Sequence, residues 1–346
     1  MSRITRKAHG GIGRRAAAVS IAALAVALAC AAVLGNAQAA KPKQLKIAVL
    51  AGSTTNAYQA ASIVAAKKAA ARLNVSLTIY DGAFDGAKQI SQMEDVIGLG
   101  TGRFDGIAFF PLDNVATIAV VKKALAAGFT VGIADAVLGP RLDTQKLQVA
   151  GLAVQASPVW NEQGQKLGSM VVEACKGKAS CKVGWAGGLK VWPPEGMVYK
   201  NVQAVLAKNP SVKIVVNVGD TFYTREGGLK IIGTMIQSHP DLDVIVAADQ
   251  ALLGAETALK DAGMLGKVKL VGLGGSIQSK PRIADGRWFG TAAQGPADEG
   301  RLAIEGIVQK IRTGKGMGGI NTTDGFPDQG RITKANVAKF NPQFSG

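Results

Sequence analysis

From Leu45 onward, short apolar runs alternate with stretches of helical length that are apolar on one side. The first run is Leu45–Ala51, and a helical pattern follows over Ala57–Leu73. Runs that are apolar throughout are typical of strands buried on both faces of a parallel sheet. The pattern therefore predicts strand, helix, strand units that repeat along the chain.

The predicted elements form two series, and the second series begins with a strand predicted over Leu147–Val154. The other predicted strands are Val75–Tyr80, Phe104–Phe110, Phe129–Ile133, Lys182–Ala186, Val212–Val218, Val244–Ala247, Val268–Leu273 and Phe289–Ala293. The other predicted helices are Ala87–Leu99, Val115–Ala127, Asn161–Glu173, Glu195–Lys208, Arg225–Ser238, Gln250–Ala262 and Ala297–Ile311. Two such series predict an α/β protein with two doubly wound parallel-sheet lobes, followed by a mostly irregular tail over residues 312–346.

Residues 1–39 have a different pattern, which is typical of a secretory signal peptide. A basic start without acidic residues precedes an apolar run over Ala16–Leu34, and the small-x-small triplet Ala37-Gln38-Ala39 follows. We expect cleavage near Ala39 and export to the periplasm. An uncleaved membrane anchor is the alternative, because the apolar run is nearly long enough to span a bilayer.

Length and charge narrow the class of protein. A chain of 346 residues with 47% apolar residues is long enough for two hydrophobic cores. Removal of residues 1–39 lowers the formal net charge from +16 to +11. The remaining Lys and Arg residues are spread along the chain without a run, so we expect a solvated basic surface and no nucleic-acid partner.

The cysteines and histidines are too few for a metal site. Cys30 lies in the predicted signal peptide, which leaves Cys175 and Cys181 as candidates for a disulfide in an oxidising compartment. His9 and His239 are the two histidines of the sequence. The sequence contains no GxSxG elbow and no GxxxxGK[ST] loop, and neither Gly52–Gln59 nor Gly272–Gly275 has the GxGxxG fingerprint, so we expect no metal, no cofactor and no enzymatic activity.

In doubly wound sheets, ligands bind beyond the carboxyl ends of the strands. Asp135 stands at such an end, where it could accept hydrogen bonds from hydroxyls, pair with a nitrogen cation beside an aromatic ring, or cap a turn. Trp160 and Trp192 also follow strands and are candidates for the site or for a lobe core. Asp249 is either a ligand-binding residue or the cap of the helix that follows it.

Several segments resemble the type I periplasmic sugar-binding proteins, the ribose-binding family, over nearly all of residues 45–330. The segments are IAVLAGSTTNAYQ after the first strand, GFTVGIAD ending at Asp135, DVIVAADQALLGAETAL around Asp249, KLVGLGG around Gly274 and GTAAQGPADEG around Gln294. The resemblance implies two lobes joined by three crossings near residues 153–157, 292–296 and 322–328. It implies a first lobe of residues 40–155 and 295–324, and a second lobe of residues 156–294 and 325–346.

The same resemblance implies several ligand-binding residues, to which the positions of Trp160 and Trp192 near strand ends add two more, and it shows where this chain departs from the family. The predicted ligand-binding residues are Ser53, Asn56, Tyr58, Asp135, Trp160, Trp192, Tyr223, Asp249 and Gln294. Ala136 follows Asp135 where the family carries arginine, and no arginine stands near Gly196. A ribose-like ligand would thereby lose about four charge-assisted hydrogen bonds of about 1.5–3 kcal/mol each. We therefore expect a different sugar or polyol, or a less hydroxylated ligand.

The function that this resemblance implies is ligand binding for import. We expect a monomer that closes its lobes around a small polar ligand and delivers it to the permease of an ABC transporter. The alternative is a sensory receptor that presents its ligand to a chemoreceptor or kinase.

Overall fold

The computed structural model describes residues 43–346, so the predicted signal peptide lies outside the described residues. From Gln44 to Gly346 the chain folds as one unit. None of the helices in this part of the chain combines the length and the apolar character that crossing a membrane requires.

The first sheet has six parallel strands in the order β2-β1-β3-β4-β5-β11. Its strand β1, which lies between β2 and β3, is buried at every position except Lys46, which explains the apolar run in the sequence. The strands are β1 (Leu45–Ala51), β2 (Val75–Asp81), β3 (Gly106–Phe109), β4 (Thr130–Ala134), β5 (Val154–Ser157) and β11 (Gly318–Asn321).

The second sheet repeats this arrangement in the order β7-β6-β8-β9-β10-β12, and only its edge strand β12 runs antiparallel to its neighbour. In both sheets the strand order reverses beside the first strand of the series, where such sheets leave a crevice for a ligand. The strands are β6 (Cys181–Ala186), β7 (Val212–Val218), β8 (Val244–Ala248), β9 (Lys269–Gly274), β10 (Gly290–Ala293) and β12 (Arg331–Thr333).

Helices cover both faces of each sheet. In the first lobe, α1 and α9 pack on one face and α2 and α3 on the other; in the second, α4 and α5 face α6 and α7 across the sheet. The helices are α1 (Ala57–Arg72), α2 (Gly86–Leu99), α3 (Ile118–Ala126), α4 (Trp160–Ala174), α5 (Pro193–Leu206), α6 (Arg225–Ser238), α7 (Asp249–Asp261), α8 (Ser279–Ala284) and α9 (Pro296–Thr313). The predicted α/β class with two doubly wound lobes is confirmed.

Helix α9 approaches the backbone of α1 very closely. A Cβ atom on Gly300 would lie 1.9 Å from the carbonyl oxygen of Ser62, so this position has no room for a side chain. Glu299 precedes Gly300, and the close approach therefore brings its carboxyl group to the start of α1.

Two parts of the predicted pattern differ from the structure. The sequence predicts a strand over Leu147–Val154, but β5 is confined to Val154–Ser157. Val149 and Leu152 are apolar because they pack into the core of the first lobe, and Gly151, with φ +94°, turns the chain just before β5. The tail, predicted to be mostly irregular, contributes the short edge strands β11 and β12.

The chain passes between the two sheets three times, after β5, after β10 and after β11. Because β5 belongs to the first sheet through Ser157, we propose the first lobe boundary just after this residue rather than at residue 155. The lobes proposed from the sequence otherwise follow the sheet to which each strand belongs.

Cys175 and Cys181 are joined by a disulfide that connects the end of α4 to the start of β6, with Cα atoms 5.8 Å apart. Closing this short loop restricts the unfolded chain, so reduction should lower the free energy of unfolding by about 2 kcal/mol. Urea unfolding with and without a reductant checks this, and a Cys175→Ser/Cys181→Ser variant that is insensitive to the reductant is the control. Equal stability of the oxidised and reduced protein would contradict the prediction.

Candidate ligand-binding cleft

A cavity of about 570 Å³, including the space at its mouth, lies between the carboxyl ends of the two sheets. Residues of both lobes and of the crossing after β10 contribute to its wall. The lining residues are Asn56, Tyr58, Gln59, Phe84, Leu112, Asp135, Leu189, Trp192, Tyr223, Ala248, Gln250, Leu273, Gly274 and Gln294. The position agrees with the rule that doubly wound sheets bind ligands at the ends of their strands.

The loop after β1 and the first turn of α1 form one corner of the cavity. Asn56 caps α1, and its Oδ1 accepts hydrogen bonds from the backbone N–H groups of Tyr58 and Gln59. Ser53 lies behind this corner, where its backbone N–H donates to Oε1 of Gln59 at 2.9 Å. Ser53 therefore positions Gln59 without lining the cavity itself.

Asp135 follows β4 and is the acidic residue among the described side chains that line the cavity. Its φ is 69°, in the left-handed region that Asp and Asn adopt more readily than most residues. The side chain is 8% exposed, and its Oδ2 accepts a hydrogen bond from Nε2 of Gln59 at 3.1 Å. Burial raises the pKa of Asp135 to about 7, although the hydrogen bond from Gln59 acts in the opposite direction.

In the first lobe, a buried glutamate holds the hydroxyl group of a cavity-lining tyrosine. Tyr58 Oη donates to Oε1 of Glu299 at 2.8 Å, and Thr322 Oγ1 donates to the same oxygen at 3.3 Å. Burial, and then the nearby charge of Asp135, raise the pKa of Glu299 well above its usual value. The phenol group of Tyr58 and the carboxyl groups of Glu299 and Asp135 thus lie together at this corner of the cavity.

The second lobe holds its tyrosine in the same way. Tyr223 Oη donates to Oε2 of Glu195 at 2.8 Å, and burial raises the pKa of Glu195. The ring lies against Gly188, where a Cβ atom would be 1.9 Å from Cζ of Tyr223. Phe222 and Tyr223 both have a φ of 52°, a strained backbone that the surrounding loop maintains beside the cavity.

Three aromatic rings are stacked edge to face along the second lobe. The ring of Trp192 lies 5.9 Å from that of Tyr223 and 4.9 Å from that of Trp160, at angles of 85° and 81°. Trp160 is 1% exposed and supports Trp192 from behind. Trp192 and Tyr223 therefore form the aromatic wall of the cavity, and Trp160 belongs to the core of the lobe.

Asp249 is buried at the end of β8, and its carboxyl group connects this strand to the loop after β9 and to Thr291 in β10. Its Oδ2 accepts a hydrogen bond from the backbone N–H of Ser276 at 2.7 Å, and its Oδ1 accepts one from Oγ1 of Thr291 at 2.8 Å. Gln294, by contrast, lines the cavity at the crossing after β10, and its backbone N–H donates to the carbonyl of Gly274.

The structure brings together six of the residues predicted for ligand binding and places three outside the cavity. The six that line it are Asn56, Tyr58, Asp135, Trp192, Tyr223 and Gln294, whereas Ser53, Trp160 and Asp249 do not. Eight further residues line the cavity and were not predicted as ligand-binding residues, namely Gln59, Phe84, Leu112, Leu189, Ala248, Gln250, Leu273 and Gly274. Gln59 and Gln250 could have been found, because each lies in the first turn of a helix that follows a strand.

The cavity contains a binding surface rather than a set of reacting groups. Within residues 43–346, no group of three or more His, Cys, Asp or Glu residues could hold a metal ion. The polar side chains of the wall are amides, two tyrosines and one carboxyl group, beside apolar and aromatic neighbours. Such a wall can hold a small polar molecule by hydrogen bonds and ring contacts.

Comparisons with known proteins agree with this geometry. The sequence profile of the periplasmic binding protein domain matches residues 13–316. The D-ribose/D-allose-binding protein of Pseudomonas aeruginosa is 27% identical over 86% of this chain and 92% of its own length. The D-apiose import binding protein of Paraburkholderia graminis is 26% identical over 92% of this chain and 96% of its own length.

The fold comparison gives the same result. An ABC transporter periplasmic solute binding protein from Actinobacillus succinogenes, solved with bound D-allose, superposes with a TM-score of 0.72 at 21% identity. The match covers 86% of this chain and 100% of that chain. The expectation that the chain is a binding protein and not an enzyme is confirmed by the family, and a sensory role is not favoured. The chain belongs to the periplasmic binding protein domain family.

Proposed function

We propose that this protein captures a small polar solute for an ABC importer by closing its two lobes around the cavity at the strand ends. The observation that carries the proposal is the wall itself, to which both lobes and the crossing after β10 contribute side chains. A ligand that contacts both lobes stabilises the closed form, which a permease can then recognise.

Each group of lining residues has a role in this proposal. Trp192 and Tyr223 cover apolar faces of the ligand from the second lobe, and Tyr58 does so from the first. The amide side chains of the wall, Asn56, Gln250 and Gln294, donate hydrogen bonds to ligand oxygens or accept them from hydroxyls. The carboxyl group of Asp135 accepts hydrogen bonds from the most polar group of the ligand.

The class of ligand is inferred partly from the ligands for which the relatives are named, and partly from the side chains that line this cavity. The relatives described above are named for D-ribose, D-allose and D-apiose, so we propose a hydroxylated ligand of similar size. No arginine is present among the described residues that line the cavity, so two-point recognition of sugar hydroxyls by guanidinium groups is replaced by amides. The preferred ligand is therefore a different compound from ribose.

The remaining parts of the proposal concern location and partners. We propose that residues 1–39 direct export to the periplasm, where relatives such as the D-allose-binding periplasmic protein of Escherichia coli act. The protein works as a monomer with a permease as its partner and binds no nucleic acid. Its basic residues in the structure are spread over many separate surface ion pairs.

A thermal-shift screen of sugars, polyols and hydroxylated amines tests the proposal. A ligand at about 100 times its dissociation constant stabilises the folded protein by about 2.7 kcal/mol, which raises the unfolding temperature by several degrees. We expect Trp192→Ala to weaken binding of the hit at least tenfold, because it removes half of the aromatic wall.

A matched control separates a binding effect from a loss of stability. Tyr80→Ala removes another half-buried aromatic residue, which pairs with Phe104 and does not line the cavity. Its affinity for the hit should equal that of the wild type. Unchanged affinity in Trp192→Ala would place the ligand elsewhere, and the absence of any hit among small polar compounds would argue against the proposed function.

A further inference from the structure

The wall of the cavity carries acidic groups without a basic residue to neutralise them. None of the described residues that line it is Lys, Arg or His. Asp135 lies in the wall, and the buried carboxyl groups of Glu299 and Glu195 stand directly behind its two tyrosines. None of these three carboxyl groups takes part in an ion pair within the described chain.

The tyrosine hydroxyl groups add acceptors rather than donors to this wall. Tyr58 and Tyr223 each use their hydroxyl hydrogen in a 2.8 Å hydrogen bond to a buried glutamate. A hydroxyl group that donates its hydrogen away offers only lone pairs to a ligand. A ligand that approaches Tyr58, Asp135 and Tyr223 therefore has to be a hydrogen-bond donor.

The aromatic rings favour a positive charge on that donor. Trp192 and Tyr223 stand in the wall, and tryptophan and tyrosine rings attract cations through the negative potential of their faces. A buried carboxyl group that is not neutralised is costly, and a ligand cation is the partner that removes this cost. A neutral hydroxyl group would satisfy one hydrogen bond and leave the charge without a partner.

On the basis of the proposed function, we infer that the ligand is a hydroxylated amine, whose positively charged nitrogen lies between Asp135 and the rings of Trp192 and Tyr223. The hydroxyl groups of such a ligand face the amides of Asn56, Gln250 and Gln294. The protein thereby selects a nitrogen-bearing compound where the sugar-binding relatives select a neutral one.

Matched ligand pairs test the inference by isothermal titration calorimetry on the purified protein. D-glucosamine is compared with D-glucose, and 2-amino-1,3-propanediol with its uncharged counterpart glycerol. We expect at least one amine to bind at least tenfold more tightly than its neutral counterpart. The preference should weaken with added salt only slightly, since the charge pair is buried.

Asp135→Asn removes the charge and preserves the backbone conformation, because asparagine tolerates the left-handed region that this position adopts. The amide oxygen of asparagine can still accept the hydrogen bond from Gln59. We expect this variant to weaken binding of the amine far more than binding of the neutral counterpart, and so to lose most of the preference for the amine. Asp220→Asn is the control. Asp220 also has a left-handed backbone, with φ +65°, but pairs with Lys190 and does not line the cavity.

The possible outcomes distinguish a failure of the inference from a failure of the proposed function. Neutral compounds that bind as tightly as their amine counterparts would overturn the inference and leave the proposed function intact, as would an Asp135→Asn variant that keeps the amine preference. If neither class of compound binds, both the inference and the proposed function fail. The comparison of amine and neutral ligands on the wild-type protein tests the inference even if a variant does not fold.

Discussion

The free energy of unfolding of the ligand-free protein is expected to fall by up to about 4 kcal/mol as the pH rises from about 4 to about 7. The cause is Asp135, whose pKa burial raises from 3.8 to about 7. Between these two pH values the folded state binds more protons than the unfolded state. The contribution of Asp135 to stability is therefore complete below its pKa in the unfolded chain, and it is lost as the pH rises through its pKa in the folded protein.

The titratable groups that face Asp135 change the stability in the same direction as Asp135 does, whereas the hydrogen bond from Gln59 lowers the pKa of Asp135. Tyr58 and Gln59 approach it from α1 and Tyr223 from the loop after β7, while Glu299 on α9 has a pKa that burial and Asp135 raise. No cation stands among these described neighbours to lower the pKa of Asp135. Glu299 adds to the loss of stability as the pH rises, because burial and then the charge of Asp135 raise its own pKa well above the usual value of a glutamate.

The carboxyl groups whose pKa is lowered do not compensate in this pH range. Asp143 and Asp285 are held below their usual pKa by hydrogen bonds to Arg141 and Arg287, respectively. Such groups lose their contribution to stability only as the pH falls below about 4. They are also exposed to solvent, which screens their ion pairs and makes their contribution small.

Urea unfolding of the wild type and of Asp135→Asn at pH 4.5, 6 and 8 measures the effect. The variant should be more stable than the wild type at pH 8 and should depend much less on pH. Asp220→Asn should keep the wild-type dependence, because it removes an exposed charge. Parallel curves for the wild type and Asp135→Asn would show that Asp135 does not carry the pH dependence.

Much of the fold could be predicted from the sequence, because a strand that is buried on both faces has to be apolar along its whole length. The predicted bounds of Leu45–Ala51 are those that the structure gives. The bounds of Val212–Val218 are also confirmed, although this strand lies at a sheet edge and its buried positions alternate with exposed ones. The strand predicted over Leu147–Val154 is wrong, because apolar residues that fill a core from a loop cannot be told from a strand by pattern alone.

The cavity was only partly predictable, for a different physical reason. A residue after a strand end can point into the cleft, as Asp135 does, or back into the lobe, as Asp249 does, and the sequence does not contain that direction. Trp160 and Trp192 differ in the same way. Glu299 left no local signal at all, because its partner Tyr58 lies 241 positions away along the chain.

The end of the chain supports the cavity from outside and leads to a second large effect. Phe344 is 2% exposed, and its ring lies 5.3 Å from that of Tyr58 and against Gly274, two residues that line the cavity. Its carbonyl accepts a hydrogen bond from Ile277, which ties the tail to the second lobe. Phe344 thus connects the second lobe to the ring of Tyr58 in the first.

We expect Phe344→Ala to lower the free energy of unfolding by about 3–5 kcal/mol and to weaken ligand affinity at least fivefold, since Tyr58 loses the ring that holds it. Phe340→Ala is the matched control. Phe340 is equally buried and packs against Phe326 in the second lobe. Its replacement should therefore lower the free energy of unfolding by a similar amount without changing the ligand affinity. Chemical unfolding and titration calorimetry below the unfolding transition give the two quantities. Equal affinities of both variants would mean that Tyr58 is positioned by Glu299 alone, because only the hydrogen bond between them would then fix its ring.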